Sequence, residues 1–160
     1  MKTIRSNVFE SGNTTPGQQP KKLVLYVEDD PSNRQVAKFR LEKKYELLLA
    51  VSDKEACAIL SRRHQDISII LLDIELKDSI LSGIQIAKML RGTLAESQKP
   101  DYAKSVPKLE TPIIFVTAFG SKHPREELLG LGANDVILKP VDFVELEMAM
   151  TKVHLARLKK

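Results

Sequence analysis

Short apolar runs alternate with amphipathic stretches along most of the chain. The apolar runs are KLVLYV, YELLLAV, SIILLD, TPIIFVT and VIL. Runs of this length without polar alternation are typical of strands that are buried on both faces of a parallel sheet. Helical patterns lie between them, at 31–44, from 52 onward, and at 83–91, 124–131 and 141–158. The alternation predicts an α/β fold in which a five-stranded parallel sheet carries five helices on its two faces.

Two of the predicted helices have clear start signals. Asp30 followed by Pro31 suits an N-cap and the first helical position. Ser52 with Glu55 three residues later has the spacing of a capping box. We therefore expect the first helix to begin after Asp30 and the second after Ser52.

Two stretches do not follow the alternating pattern. Residues 1–20 are polar, with glycines and prolines and no periodicity, and predict a disordered N-terminal tail. Residues 92–111 are also long and polar, with prolines at 100 and 107. They predict an insertion loop, and the pattern is compatible with a helical turn at its start. The remainder, 21–160, is expected to form one domain.

Composition restricts the class of the protein and the cellular compartment in which it is expected. The chain is 42% hydrophobic and 29% charged, as is ordinary for a globular protein. No apolar stretch approaches the roughly 20 residues that span a membrane, and the N-terminus lacks the apolar core of a signal peptide. The single cysteine, Cys57, excludes an internal disulfide and is expected to be buried in a helix. We predict a cytoplasmic protein without membrane contact.

The net charge of +4 does not by itself indicate a nucleic-acid partner. The lysines and arginines are scattered along the chain, whereas a binding surface would concentrate them. We therefore expect no direct contact with nucleic acid. The histidines lie near predicted helix ends, where surface positions are expected: His64, His123 and His154.

Polar residues collect where the predicted strands end. Glu28 and Asp29 follow the first strand, Asp73 ends the third, Thr117 lies at the end of the fourth, and Lys139 follows the fifth. In an open parallel sheet, ligands bind beyond the carboxyl ends of the strands. The doubly wound, flavodoxin-like strand order 2-1-3-4-5 would place the first and third strands side by side. It would therefore bring the three acids together.

Three adjacent carboxylates cannot all stay charged unaided: either some remain protonated or a cation neutralises them. Two like charges about 4 Å apart repel by about 4 kcal/mol at an effective dielectric near 20. Clustered oxygen ligands suit Mg²⁺, which keeps several waters and accepts a phosphate oxygen as a further ligand. With a lysine and a hydroxyl nearby, such a cluster can receive a phosphoryl group. The alternative is that these residues serve only as caps and turns.

The sequence resembles the receiver domain of two-component response regulators from about Lys22 to Lys159. The segments that carry the resemblance are VLYVEDDPSNR, IILLDI, TPIIFVTAF and GANDVILKP, in this order. The resemblance implies a response regulator without an output domain, since the fifth helix is the last predicted element. Such a protein would be a phosphoacceptor, with only self-phosphorylation and autodephosphorylation as activities.

The resemblance also implies a role for each site residue. Asp73 would accept a phosphoryl group from a histidine kinase or a histidine phosphotransfer protein. Asp29 and Asp73 would bind Mg²⁺ (or Mn²⁺) directly. Glu28 would contact the ion through water, and the backbone carbonyl of Glu75 would be a third protein ligand. Thr117 would supply the switching hydroxyl.

Lys139 would pair with the phosphoryl group, and a cis peptide bond to Pro140 would aim it. The signal would pass to a downstream protein target by protein–protein contact or by onward phosphotransfer. The sequence carries no signal for an oligomeric state.

The sequence departs from the family pattern in several places. Gly83 follows Asp73 at a longer spacing than is usual, with Lys77 where a proline is common, so we expect a longer and more mobile loop. Val136 occupies the position where the family usually has an aromatic residue, whose ring turns inward as the threonine moves. Phe119 would border the path of the hydrolytic water and slow loss of the phosphoryl group, with partner contact as the alternative.

Two other functions are compatible with parts of the sequence. One is a degenerate receiver that acts as a constitutive scaffold, which the acceptor, threonine and lysine argue against. The other is a Mg²⁺-dependent nucleic-acid enzyme of the toprim type, which also places a glutamate after its first strand and acids after its third. It would leave Thr117 and the Lys-Pro pair unexplained.

Overall fold

The computed structural model describes residues 17, 19–118 and 122–159. These residues form a parallel sheet with helices on both faces, as predicted. The strands are β1 Lys22–Val27, β2 Tyr45–Ala50, β3 Ile67–Leu72, β4 Ile113–Ala118 and β5 Asp135–Lys139. The α-helices are α1 Pro31–Leu41, α2 Asp53–Arg63, α3 Gly83–Arg91, α4 Arg125–Gly130 and α5 Phe143–Leu158.

The strand order is β2-β1-β3-β4-β5, with every pairing parallel. This confirms the predicted flavodoxin-like topology. Val27 at the end of β1 is level with Ala50 of β2 and with Leu72 of β3. The residues that follow these strands therefore emerge at one edge of the sheet.

The central strands are buried on both faces, which explains their continuous apolar sequence. In β3, Ile70 and Leu72 pack with residues of α2, α3 and α4, whereas Ile69 and Leu71 pack with residues of α1 and α5. All four side chains are fully buried. Burial of one such side chain stabilises the fold by about 1.5–3 kcal/mol. The sheet edge is therefore a rigid platform.

Both predicted helix starts are confirmed. The Asp30 side chain accepts a hydrogen bond from the Asn33 amide at 3.0 Å, and Pro31 is the first residue of α1. The Ser52 hydroxyl accepts from the Glu55 amide at 3.3 Å at the start of α2. Within the part of the chain described, no helix combines the length and the apolar character needed to cross a membrane.

Cys57 is buried in α2, as expected from its apolar neighbours. Burial, together with the charge of Asp53, raises the pKa of the Cys57 thiol to about 12. The thiol is therefore protonated at neutral pH and behaves as a small apolar side chain.

Residues 92–111, hereafter the 92–111 segment, contain two short 3₁₀ turns, Glu96–Gln98 and Asp101–Ala103. Despite its polar sequence, the segment buries Leu94, Ala103 and Val106 in the core. It is packed against the domain rather than projecting from it. The predicted disordered tail, by contrast, falls almost entirely outside the described residues.

Candidate functional site

The residues predicted from the strand ends meet in one cleft at the carboxyl edge of the sheet. The cleft is lined by every predicted site residue: Glu28, Asp29, Asp73, Glu75, Thr117 and Lys139. Their convergence follows from the strand order, because β1 and β4 flank β3 and β5 lies next to β4.

Lys139 joins two of the acids directly. Its Nζ donates to Glu28 Oε2 and to Asp73 Oδ2, each at 2.9 Å. Burial opposes the charged form of the lysine, but the hydrogen bonds with Glu28 and Asp73 outweigh it and raise the pKa of Lys139. The lysine is therefore a fixed positive charge between two carboxylates. The Lys139–Pro140 peptide bond is cis, as the resemblance implied.

Asp73 is a buried carboxyl group, only 6% exposed. Its backbone amide donates to the Val27 carbonyl at 3.1 Å, which continues the ladder between β3 and β1. Burial, with the nearby charge of Glu28, raises the pKa of Asp73 to about 6, against the opposing effect of Lys139. Asp73 is thus held rigidly and is mainly ionised at pH 7.

Glu28, Asp29 and Asp73 form an acidic cluster in which one carboxylate oxygen of each lies within 4.8 Å of the others. Glu28 is fully buried, and its Oε1 accepts from Asn33 Nδ2 at 2.9 Å. Asp29 Oδ2 accepts from the Lys77 amide at 3.0 Å. Convergent carboxylate oxygens are the donor set that Mg²⁺ and Mn²⁺ prefer, so the cluster fits such an ion.

Three residues that support the acids were not predicted as site residues. The Tyr26 hydroxyl donates to Glu28 Oε2 at 3.4 Å, and Asn33 donates to the other oxygen. Arg34 Nη1 donates to the backbone carbonyls of Glu28 and Asp29 at 2.8 and 2.7 Å. Tyr26 lies in β1 two residues before Glu28, so the alternation of side chains along an extended chain places both on one side, and this spacing was the available signal.

Thr117 is buried at the end of β4, opposite Leu138 of β5, and lines the cleft with Lys139. Val136, two positions earlier in β5 than Leu138, is buried in the core opposite Phe115. Phe119 lies outside the described residues.

His123, which was expected at the surface, is half-buried and lines the cleft together with Lys122. No pattern in the sequence indicates this position, because the distance from His123 to the strand ends depends on tertiary packing. His64 caps the end of α2, with its ring nitrogen 2.9 Å from the Leu60 carbonyl oxygen.

The loop between β3 and α3, residues 74–82, forms one wall of the cleft. It turns at Asp78, which has the left-handed φ of 56° that only a few non-glycine residues adopt. It closes at Gly83, whose amide donates to the Ile74 carbonyl at 2.8 Å. A Cβ on Gly83 would lie 1.9 Å from the backbone oxygen of Asp73. Glycine is therefore required where the loop rejoins the fold.

Comparison with known protein families assigns the chain to one of them. Residues 24–151 match the response regulator receiver domain. The chain belongs to this family. Receiver domains are phosphoacceptor domains of two-component signalling, so the alternative of a toprim-type nucleic-acid enzyme is replaced by this assignment. The resemblance noted in the sequence is confirmed.

Individual relatives share the receiver domain at moderate identity. The response regulator SSK1 of Arthrobotrys oligospora is 31% identical over 159 residues, which cover 88% of this chain but only 14% of that protein. The receiver domain of Saccharomyces cerevisiae Ssk1, solved in complex with the histidine phosphotransfer protein Ypd1, is 30% identical with a TM-score of 0.62. That alignment covers 82% of this chain and 88% of the other.

The receiver domain of the Francisella response regulator 1452 has the same fold. Its TM-score is 0.69 at 23% identity, over 86% of this chain and 99% of that one. The chain spans only 14% of the length of the SSK1 protein of Arthrobotrys oligospora.

Proposed function

We propose that Asp73 accepts a phosphoryl group from a histidine kinase or a histidine phosphotransfer protein. The observation that carries the proposal is the buried Asp73 carboxylate, bridged by Lys139 to Glu28 beside a third acid. The similarity to an Ssk1 receiver that was crystallised with a phosphotransfer protein supports the same class of donor.

In the proposed reaction, a carboxylate oxygen of Asp73 attacks the phosphorus of a phosphohistidine. The new O–P bond forms as the P–N bond breaks, and the imidazole leaves with the electron pair of that bond. The raised pKa of Asp73, about 6, leaves it mainly ionised at pH 7 and therefore nucleophilic. Lys139 then offsets the charge of the acyl phosphate, and the Thr117 hydroxyl donates a hydrogen bond to it.

The acidic cluster would hold Mg²⁺ or Mn²⁺. When bound, the ion would offset the charge of the transferring phosphoryl oxygens. Asp29 and Asp73 would be direct ligands, with the backbone carbonyl of Glu75 as a third. Both Glu28 oxygens already accept hydrogen bonds from protein groups, which favours its contact with the ion through water.

The signal would pass to a downstream protein target through protein–protein contact or onward phosphotransfer. Both routes need a reversible modification at Asp73. The competing scaffold function needs none, so labelling of Asp73 separates them.

Phosphorylation by acetyl phosphate should require the carboxylate of Asp73. With Mg²⁺ and acetyl phosphate, we expect the wild type to gain one acid-stable, base-labile phosphoryl group and Asp73→Asn to gain none. An amide cannot form the acyl phosphate, so the loss should be complete. Intact-protein mass spectrometry measures the added phosphoryl group directly.

The matched control for labelling is Asp66→Asn, at an exposed residue directly before β3, at the amino end of the sheet. It removes the same charge away from the cleft and should label as the wild type does. A phosphoryl group that persists in Asp73→Asn would place the acceptor elsewhere, and an unlabelled wild type would favour the scaffold.

Metal should stabilise the protein through the same acids. At a hundredfold excess over its Kd, Mg²⁺ should add about 2.7 kcal/mol to the free energy of unfolding and raise the Tm by about 5–10 °C. Asp29→Asn should lose most of this increase but keep the fold, because an amide oxygen can still accept from Lys77. Thermal melts with Mg²⁺ and with a chelator give both values. If Mg²⁺ raised the Tm of Asp29→Asn as much as that of the wild type, Asp29 would not be a metal ligand.

A further inference from the structure

A second buried carboxylate joins three separate parts of the chain. Asp53, the first residue of α2, is 1% exposed. Its Oδ2 accepts from the Leu81 amide at 2.9 Å and from the Tyr102 hydroxyl, and its own amide donates to Ser79 Oγ at 3.0 Å. We call Asp53, Ser79, Leu81 and Tyr102 the Asp53 cluster. It links α2, the loop at 74–82 and the 92–111 segment.

Helix capping does not account for the cluster. Ser52 already caps α2 through the Glu55 amide. The donors to Asp53 Oδ2 come instead from positions 28 and 49 residues away. A buried carboxylate is costly unless such donors satisfy it, so Asp53 depends on both partners being in place.

The Asp53 cluster lies beside the acceptor cleft. Ser79 lines the cleft directly, and the loop that contains it runs from Asp73 to Gly83. The same loop is tied at a second point, where the Lys77 amide donates to Asp29 Oδ2 at 3.0 Å. The cleft wall is thus held between an acid of the proposed metal site and Asp53.

The 92–111 segment presents Tyr102 from a fixed position. Ala103, next in sequence, is fully buried. At the far end of the segment, the Arg91 guanidinium donates to the Leu109 carbonyl at 2.6 Å and to the Thr111 carbonyl at 3.0 Å. Between these fixed points the Tyr102 ring packs against the core, and its hydroxyl donates to Asp53.

We propose that Tyr102 is a positioning residue for the phosphoacceptor site, acting through Asp53 on the 74–82 loop. The inference rests on the proposed function and adds a role for the 92–111 segment: it holds the cleft wall so that the Glu75 carbonyl and the Lys77 amide meet the metal site. Tyr102 itself contacts neither the metal site nor Asp73.

The test is Tyr102→Phe, which removes one hydroxyl and keeps the ring. In metal-free, unphosphorylated protein, we expect the Leu81 amide to exchange hydrogen about tenfold faster, since the loop is released more often. The Mg²⁺ concentration for half-maximal labelling by acetyl phosphate should rise at least about threefold, because a loosened loop presents the metal site less often. The rate at saturating Mg²⁺ should change less, because Asp73, Thr117 and Lys139 are untouched.

Two further variants separate positioning from general loosening. Ser105→Ala removes the 2.9 Å hydrogen bond between Ser105 and Ser61, which also joins the 92–111 segment to α2 but does not involve Asp53. It should keep the wild-type values. Alanine at position 53 removes the acceptor oxygen, so if Tyr102 acts through Asp53 the double variant Asp53→Ala/Tyr102→Phe should be no more impaired than Asp53→Ala alone.

The outcomes distinguish this inference from the proposed function. A wild type that labels, with a Tyr102→Phe variant that has the same Leu81 exchange and Mg²⁺ dependence, would overturn the inference alone. Equal changes in Ser105→Ala and Tyr102→Phe would also overturn it. A wild type that takes no label would overturn the proposed function and the inference with it.

Discussion

Gly83→Ala is expected to destabilise the protein by about 3–5 kcal/mol, among the largest effects of a single substitution. The added Cβ would lie 1.9 Å from the backbone oxygen of Asp73 and 2.8 Å from the Ile74 Cα. These are backbone atoms at the end of a central strand, so no side chain can rotate to make room. Denaturant unfolding without metal measures the loss.

Gly130→Ala is the matched control. Gly130 ends α4, and among the described residues no atom beyond its chain neighbours and its own helix backbone lies within 4 Å of its added Cβ. Alanine there should change stability little, or increase it by about 0.5–1 kcal/mol, because it restricts the unfolded chain. A Gly83→Ala protein within about 1 kcal/mol of the wild type would show that the 74–82 loop can move away from Asp73 at little cost.

Asp73→Asn should stabilise the metal-free protein at neutral and alkaline pH. The folded-state pKa of Asp73 is about 6, against an ordinary value of 3.8. Ionisation is therefore less favourable in the folded protein than in the unfolded chain. The difference between these two pKa values corresponds to about 3 kcal/mol in the free energy of unfolding, at about 1.4 kcal/mol for each tenfold change in the ionisation constant.

The sign follows from proton binding. Between about pH 4 and 6 the folded wild type binds more protons at Asp73 than the unfolded chain does, so its free energy of unfolding falls as pH rises. The asparagine of the variant does not titrate, and its amide oxygen can still accept from Lys139. The variant should therefore gain up to about 3 kcal/mol relative to the wild type as pH rises through this range, and keep that gain at higher pH.

Urea unfolding of both proteins across about pH 4–8, with a chelator present, measures this difference. Asp66→Asn provides the comparison at an exposed carboxylate. A constant difference between Asp73→Asn and the wild type over this range would contradict a raised pKa at Asp73.

Together, these two predictions describe a site that is built at a cost to stability. Asp73 is buried beside Glu28 with one lysine between them, and the loop above it closes through a glycine in contact with the backbone. Such an arrangement keeps a nucleophile rigid and poised at the sheet edge.

Local sequence patterns were sufficient to predict the architecture and the position of the acids. Apolar runs of strand length predicted β1 to β5, and Asp30 and Ser52 predicted two helix starts, because strands and caps depend on neighbouring residues. The strand order then brought Glu28 and Asp73 together, since the carboxyl ends of parallel strands share one edge.

Which polar atoms meet, by contrast, depends on tertiary packing. The bond between Lys139 and Glu28 joins residues 111 positions apart, and that between Tyr102 and Asp53 joins residues 49 apart. The polar composition of the 92–111 segment predicted a loop, whereas Ala103 and Val106 are buried in the core. Contacts of this kind leave no periodic signal in the sequence, because they depend on how separate elements pack and not on the residues beside them in the chain.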